Sequence, residues 1–412
     1  SARVVYLAWV VGGVLSFFGA LTYAELGAMK PEAGGEYVYI RDAYGPLPGF
    51  LYAWTWFIIA KPASVASVTF GIVRVLGTFE VFAFLPHQIS QGIGVTWGQL
   101  LAIALTVLIS ALNYLGVRKA GEFQLIFTLL KIALVVVIAG AVFGAAHGNW
   151  ANFSSNYAGA KGGLAGFFAA LVAALWAYDG WNDLNMVAGE VQRPERSIPL
   201  ALIAGVGVVA ALYMLTNAAV QYAMSAAQVA QAQRPAALAM SLAVGGWGGA
   251  VVAAGMALSM LVTLNGTIMS GARVPFAVAR DGYFFRKLAD VHPRFHSPST
   301  AIIVQATLSC ALLLVAHTFR ELFSLAIFAE WLFYMIGTST VFVFRRREPN
   351  APRPYRTWGY PVVPAVFVLA SAALLYYTFT DNLRNSFAGT LVILAGAPVY
   401  WWFARRKRAV TA

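Results

Sequence analysis

Long apolar runs separated by short polar linkers organise the chain from end to end. They recur about eleven times, at about residues 4–27, 47–78, 97–115, 122–145, 164–188, 198–222, 247–275, 299–317, 322–344, 361–379 and 386–403. A helix crossing the hydrocarbon core of a bilayer needs about 20 mostly apolar residues, so each run predicts a spanning helix. The 47–78 run is long enough to cross at a tilt. The linkers, among them KPEAGGEYVYIRDAYGP, VQRPERSIP and RRREPNAPRPYRTWGYP, are too short to fold as separate soluble domains. Residues 1–412 therefore read as one transmembrane domain, an all-α polytopic membrane protein.

Composition sharpens this picture. The chain is 60% hydrophobic and 11% charged, against about a quarter charged in soluble domains, so lipid is the solvent for most of its surface. The net charge of +12 could suggest nucleic acid, but the basic residues sit in alternate linkers. Nineteen of the 28 Lys and Arg, including Lys30, Arg41, Arg193, Arg280 and Arg345 to Arg347, fall on the side that also holds the C-terminal tail. The other side has Arg3, Lys161, Arg234, Arg320 and Arg384, and four lie within spans. This asymmetry makes the first side cytoplasmic. An odd number of spans then puts Ser1 outside without a leader, which predicts that one span precedes this sequence, eleven being present of twelve. The single cysteine, Cys310, lies in an apolar run and offers no disulfide framework.

Polar residues inside the spans are the candidates for chemistry, because lipid makes them expensive. Lys131, in EFQLIFTLLKIALVV, is about nine residues into its span, near the midplane at a depth of roughly 14 Å. Its readings are a fixed or proton-carrying cation at a cavity, or a lock between helices. Lys61 precedes Pro62, whose missing N–H frees a carbonyl upstream; the pair can support a pocket or a helix break, or be purely structural. Asn265 in TLNGT is either a second break or a hydrogen bond between helices. Arg74 and Arg273, near span ends, are expected to snorkel, and Glu25 to pair with loop cations. His87, His147, His292, His296 and His317 have no metal-ligand spacing, so no metal or cofactor is expected.

The segment WAYDGWN, Trp176 to Asn182, interrupts another run about twelve residues in. Gly180 is a weak helix former, and Asp179 and Asn182 compete for backbone hydrogen bonds. An unwound turn at that depth is tolerated only where it lines a cavity or is buried in protein. Broken helices of this kind hold substrates in transporters.

LSFFGALTYAELGAMKPEAGGEYVYIRDAYG, AKPAS, LLKIAL, WAYDGWNDLNMVAGEVQRPERSIPLAL, LNGTIMSGARVPFAVARDGYFF and RRREPNAPRPYR together resemble permeases of the amino acid–polyamine–organocation superfamily, nearest the L-type amino acid transporter branch. The resemblance runs in order over nearly the whole chain. It implies two inverted five-helix repeats plus two further helices: 4–145 as the remainder of the first repeat, 164–344 as the second, and 361–403 as the added pair. The span at 4–27 then matches the family's second helix, so the glycine-rich first helix that holds the substrate carboxylate is the one absent.

Residue by residue, the resemblance makes Trp176 the ring that closes over substrate. Ala177, Tyr178 and Gly180 become the unwound segment that meets its amino group, with Asp179 where the animal branch has glycine. Asn182 becomes a polar site residue, and Lys131 the cation standing where sodium sits in related carriers. The loop FEVFAFLPHQISQGIGV lacks the cysteine that links animal members to a glycoprotein, so no disulfide-linked heavy chain is expected.

The expected function is alternating-access transport of amino acids, chiefly neutral, across the cell membrane by sodium-independent exchange or proton-coupled uptake. Cationic amino acid or polyamine uptake is the second reading. An intramembrane hydrolase is disfavoured because no span carries a Ser–His pair or paired aspartates, and a channel because no filter-like segment occurs.

Overall fold

The computed structural model describes residues 2–89, 94–145, 148–159, 162–315, 319–381 and 383–411; His147, Lys161 and His317 lie outside these, as do residues 90–93 of the loop without cysteine. The chain folds as α1 (Ala2–Met29), α2 (Glu36–Tyr44), α3 (Pro46–Thr55), α4 (Lys61–Leu76), α5 (Trp97–Tyr114), α6 (Val117–Gly144), α7 (Gly163–Tyr178), α8 (Asp183–Met186), α9 (Pro194–Ala223), α10 (Ala226–Gln231), α11 (Pro235–Val244), α12 (Trp247–Gly271), α13 (Arg273–Arg280), α14 (Ser299–Val315), α15 (Phe319–Arg347), α16 (Val362–Asp381) and α17 (Leu383–Thr411).

Nine spans among the described residues are long and apolar enough to cross a membrane; three of them join successive elements, Pro46–Leu76, Gly163–Met186 and Trp247–Arg280. The other two expected crossings are α14, a shorter apolar helix of 17 residues, and α15, of 29. The apolar pattern also missed α11, whose ten residues are too few for a span; it packs on α12.

Local chemistry sets the element ends. Thr96 and Gln99 form a capping box at the start of α5, the threonine hydroxyl accepting from the Gln99 N–H and the Gln99 amide oxygen from the Thr96 N–H. Between α3 and α4 the helix widens into one π turn, Trp56–Ala60, where the Lys61 N–H donates to the Trp56 carbonyl. Pro62 explains it. The ring has no N–H to donate and crowds the carbonyl a turn earlier, and the wider turn absorbs the mismatch without ending the helix.

α1 packs chiefly against α9 and α7, α12 against α4, α11 and α6, and α15 against α16 and α17. The main core is rich in rings: Tyr23, Tyr37, Tyr39, Tyr52, Trp56 and Tyr334 are fully buried in it. By contrast, α6 presents Leu125, Ile126, Leu129, Leu130, Val136 and Val137 outward. Such a stripe is unfavourable in water and suits contact with lipid tails.

Ion pairs join the ends of the helices. Glu25, only 1% exposed, accepts from Arg345 Nε at 2.8 Å and Nη2 at 2.7 Å and from the Thr357 N–H at 2.7 Å, with Arg353 Nε 3.3 Å away. This is the loop pairing expected of Glu25. In α2, Arg41 donates to Asp42 at 2.8 Å and to Asp281 at 2.5 Å, and Lys30 donates to Asp42 at 2.9 Å. Burial would raise the Asp42 carboxyl, yet the hydrogen bonds from Arg41 and Lys30 hold it below the ordinary carboxylate range.

One expectation is corrected here, and one pair of alternatives is resolved. Arg273 does not snorkel: it is 1% exposed, and its guanidinium grips Glu190 at 2.8 and 3.1 Å and the Met269 carbonyl at 2.6 Å. A carboxylate 83 residues away in sequence supplied the partner that makes burial tolerable. Asn265 marks no break, because α12 runs through it; its amide donates to the Ala120 carbonyl and the Gln124 side chain and accepts from Asn113 at 2.9 Å. It ties α12 to α5 and α6.

Removing one partner of a buried ion pair strands the other charge, at a cost of about 3–5 kcal/mol. Glu25→Ala should lower stability by about that much, measured as thermal or denaturant unfolding in detergent. A loss below about 1 kcal/mol would show that the cluster is solvated rather than structural.

Candidate functional site

α7 stops at Tyr178 because the next two residues leave the helical region. Asp179 is extended, with φ −61° and ψ 154°, and Gly180 has φ 95°, a conformation open to glycine without strain. The Asp179 N–H closes a tight turn on the Trp176 carbonyl at 3.1 Å, and the Asp183 N–H restarts the chain on the Gly180 carbonyl at 3.2 Å. α8 then lasts only from Asp183 to Met186. The interruption opens onto a cavity of about 740 Å³ walled by α4, α6, the break itself, α9, α12 and α15.

Five expected site residues, Trp176, Ala177, Tyr178, Asp179 and Gly180, line this cavity, and Lys61 and Lys131 line it too. The Ala177 carbonyl accepts from the Tyr213 hydroxyl at 2.5 Å, and the Tyr178 ring packs edge-on against Tyr213 and Trp9. Among the described residues the Lys131 ammonium has no ion-pair partner. Lys131 also borders a second, apolar cavity of about 320 Å³ between α6, α9, α11 and α12.

Three residues named from the sequence lie elsewhere. Asn182 is fully buried behind the break and does not line the cavity. Its amide donates to Glu36 at 3.2 Å, and its oxygen lies 3.1 Å from the Tyr334 hydroxyl. Pro62 is buried one residue beyond the lining Lys61, and Asn265 is held in the contact with α5 and α6 described above. Which side of a one-turn break faces the cavity depends on the helices around it, and that information is absent from the local sequence.

The structure adds acids that the sequence reading passed over. Lys61 donates to both oxygens of Asp183, at 2.6 and 2.8 Å, and the Ser270 hydroxyl donates to the same carboxylate at 2.7 Å. The lysine ammonium also lies 5.4 Å from the Trp56 ring centroid, within cation–π reach. Lys61 thus satisfies a carboxylate across the bundle rather than the carbonyl freed by Pro62. Tyr334 on α15 donates to Asp179 at 2.5 Å. Through Asn182 this connects to Glu36, which in turn accepts from Tyr23. Burial pushes the Glu36 carboxyl up to about 7, against the opposing effect of the Tyr23 hydrogen bond. Glu330, also on α15, lines the cavity and is 7% exposed. Its place in the apolar run IFAEWLFY was the available signal, under the same rule that singled out Lys131.

Two glycines press α8 into place. A Cβ on Gly27 of α1 would sit 2.2 Å from the Asn185 Oδ1, and one on Gly35, which has φ +50°, 2.8 Å from the Asn185 carbonyl carbon. The Gly34 N–H donates to the Met186 carbonyl at 2.9 Å.

A bundle of apolar spans around a cavity with charged side chains on its wall, one span interrupted at that wall, is the architecture of a membrane transporter. The sequence comparisons say which kind. The amino acid permease family matches residues 1–404, and the chain belongs to that family. It is 30% identical over 410 residues to the serine/threonine exchanger SteT of Bacillus subtilis, covering 99% of this chain and 90% of that protein. It is 31% identical over 405 residues to the human b(0,+)-type amino acid transporter 1, covering 97% and 80%, and 29% identical over 397 to the human cystine/glutamate transporter, covering 96% and 77%. The protein is a multi-pass membrane permease for amino acids and not an enzyme.

Asp183→Asn should leave the Lys61 ammonium buried without a counter-charge and lower stability by about 3–5 kcal/mol. Removing both charges, with Lys61→Met and Asp183→Leu, should recover most of that loss. Thermal unfolding of the wild type, Lys61→Met, Asp183→Leu and the double variant gives the coupling; simple additivity would mean that the pair does not act as a unit.

Proposed function

We propose that this permease is a secondary carrier that exchanges α-amino acids by alternating access, with the break at Asp179–Gly180 forming one wall of its substrate site. The observation that carries this reading is the position of the break. Freed backbone groups and the Asp179 carboxylate meet a cavity of about 740 Å³, large enough for an amino acid, with Trp176 and Tyr178 beside them. A zwitterion needs an acceptor for its ammonium, and the carbonyls at the end of α7, where the helix dipole is negative, suit that end of the molecule.

Lys131 has a separate role in this reading. It is a fixed cation in the cavity wall without a carboxylate partner among the described residues. Such a charge can hold the wall in the arrangement that a bound metal ion would otherwise impose, so transport proceeds without sodium. The name of the Bacillus relative, a serine/threonine exchanger, favours exchange over net uptake. Residues 4–145 and 164–344 would be the two inverted halves that rock against each other, with 361–403 as the added pair. The excess of Lys and Arg beside the C-terminal tail supports a cytoplasmic C-terminus. With Cys310 the sole cysteine and located in α14, a disulfide-linked partner subunit is not proposed.

Proteoliposomes loaded with unlabelled amino acid should take up labelled amino acid faster than empty ones, in sodium-free buffer; equal rates would rule out exchange. Lys131→Ala should slow that uptake by about tenfold or more, equivalent to about 1.4 kcal/mol, while the protein remains monodisperse with an unchanged unfolding temperature. Wild-type uptake in this variant would remove Lys131 from the mechanism.

A further inference from the structure

Glu330 is a carboxylate that the fold has not neutralised. It lines the central cavity, is 7% exposed, and among the described residues has no hydrogen-bond or ion-pair partner. The charges whose fields reach it are Asp179 at the break, Asp183 on α8, Glu36 on α2 and the ammonium of Lys61 on α4. Three are negative. The one cation is already held by both oxygens of Asp183, and Asp179 is the acceptor of the Tyr334 hydroxyl.

An anion removed from water without a partner is costly, and like charges around it add to that cost. The balance of the whole wall points the same way. Lys61 and Lys131 contribute two ammonium groups, and Asp179, Asp183 and Glu330 contribute three carboxylates. A neutral amino acid is a zwitterion and leaves this imbalance unchanged. An amino acid with a second ammonium or a guanidinium carries one net positive charge and offsets it.

We propose that Glu330 is the recognition point for a second cationic group on the substrate, so that the carrier takes basic amino acids, of the lysine and arginine class, ahead of neutral ones of the same length. This rests on the carrier reading above and specifies its side-chain pocket. The α-ammonium sits at the break, and the distal charge reaches Glu330, one helical turn along α15 from the Tyr334 that bonds Asp179, on the wall of the same cavity. The separation of roles follows from the fold: the break is common to every amino acid, whereas Glu330 belongs to a different helix and meets only the side chain. A site built around an unpaired charge discriminates strongly against an analogue that lacks the counter-charge.

Lysine and norleucine test this directly, since they differ only in the terminal ammonium. In thermal unfolding of the purified protein in detergent, lysine should give half-maximal stabilisation at a concentration about tenfold or more below that of norleucine. Glu330→Gln should bring the two ligands to the same concentration by weakening lysine alone, and Glu330→Asp should restore part of the preference. Equal stabilisation by both ligands in the wild type would overturn the proposal, and this comparison holds even if the Gln variant fails to fold. A Glu330→Gln effect that is equal for both ligands and shifts only their pH dependence would also overturn it, making Glu330 a proton carrier. Failure of every amino acid to stabilise the protein would count against the carrier reading itself, whereas a norleucine effect without a lysine effect would overturn the present proposal alone.

Discussion

A helix cut in the middle of an apolar bundle must find partners for the polar groups it releases, and much of this protein is arranged around that need. The cut at Asp179–Gly180 frees backbone and places two carboxylates, Asp179 and Asp183, within four residues of each other. Each is answered from a different direction. Tyr334 reaches Asp179 from α15, Tyr213 reaches the Ala177 carbonyl from α9, and Lys61 and Ser270 reach Asp183 from α4 and α12. Four helices are thereby fixed relative to one short interruption. Because an unsatisfied buried polar group costs about 1–3 kcal/mol, these bonds hold an arrangement that would otherwise unwind further or close.

The same chemistry explains why the cavity is polar on one side and greasy on the other. Towards the break its wall carries carboxylates, hydroxyls and ammonium groups; towards α11 lies the second, apolar cavity, which shares Lys131 and Tyr213 with it. The amphipathic wall matches an amphipathic ligand. The family supplies the kind of cargo.

The spans were legible because lipid enforces a minimum apolar length, and the break because glycine between an aspartate and an amide is a poor continuation of any helix. Lys131 and Trp176 to Gly180 could be placed at the cavity from their positions alone. What could not be read were partnerships across long separations. Lys61 lies 122 residues from Asp183 and Arg273 lies 83 from Glu190, and no periodicity connects them. Arg273 was therefore expected at the surface, and the bond from the Asn182 amide to Glu36 was not foreseen. Glu330 is a different case. Its signal, an acid within a span, was present and was overshadowed by the brighter motif.

The glycines that press on α8 have a mechanical consequence. Asn185 is caught between Gly27 of α1 and Gly35 ahead of α2, at distances that leave no space for even a methyl group. A stub of one turn gripped so closely has no independent freedom. Any rotation of α8 about the break must carry the end of α1 and the segment entering α2 with it, and Arg41 on α2 is itself tied to Asp281 just beyond α13. The interruption is thus the short arm of a lever, and the ion-paired loops at the far end are its long arm.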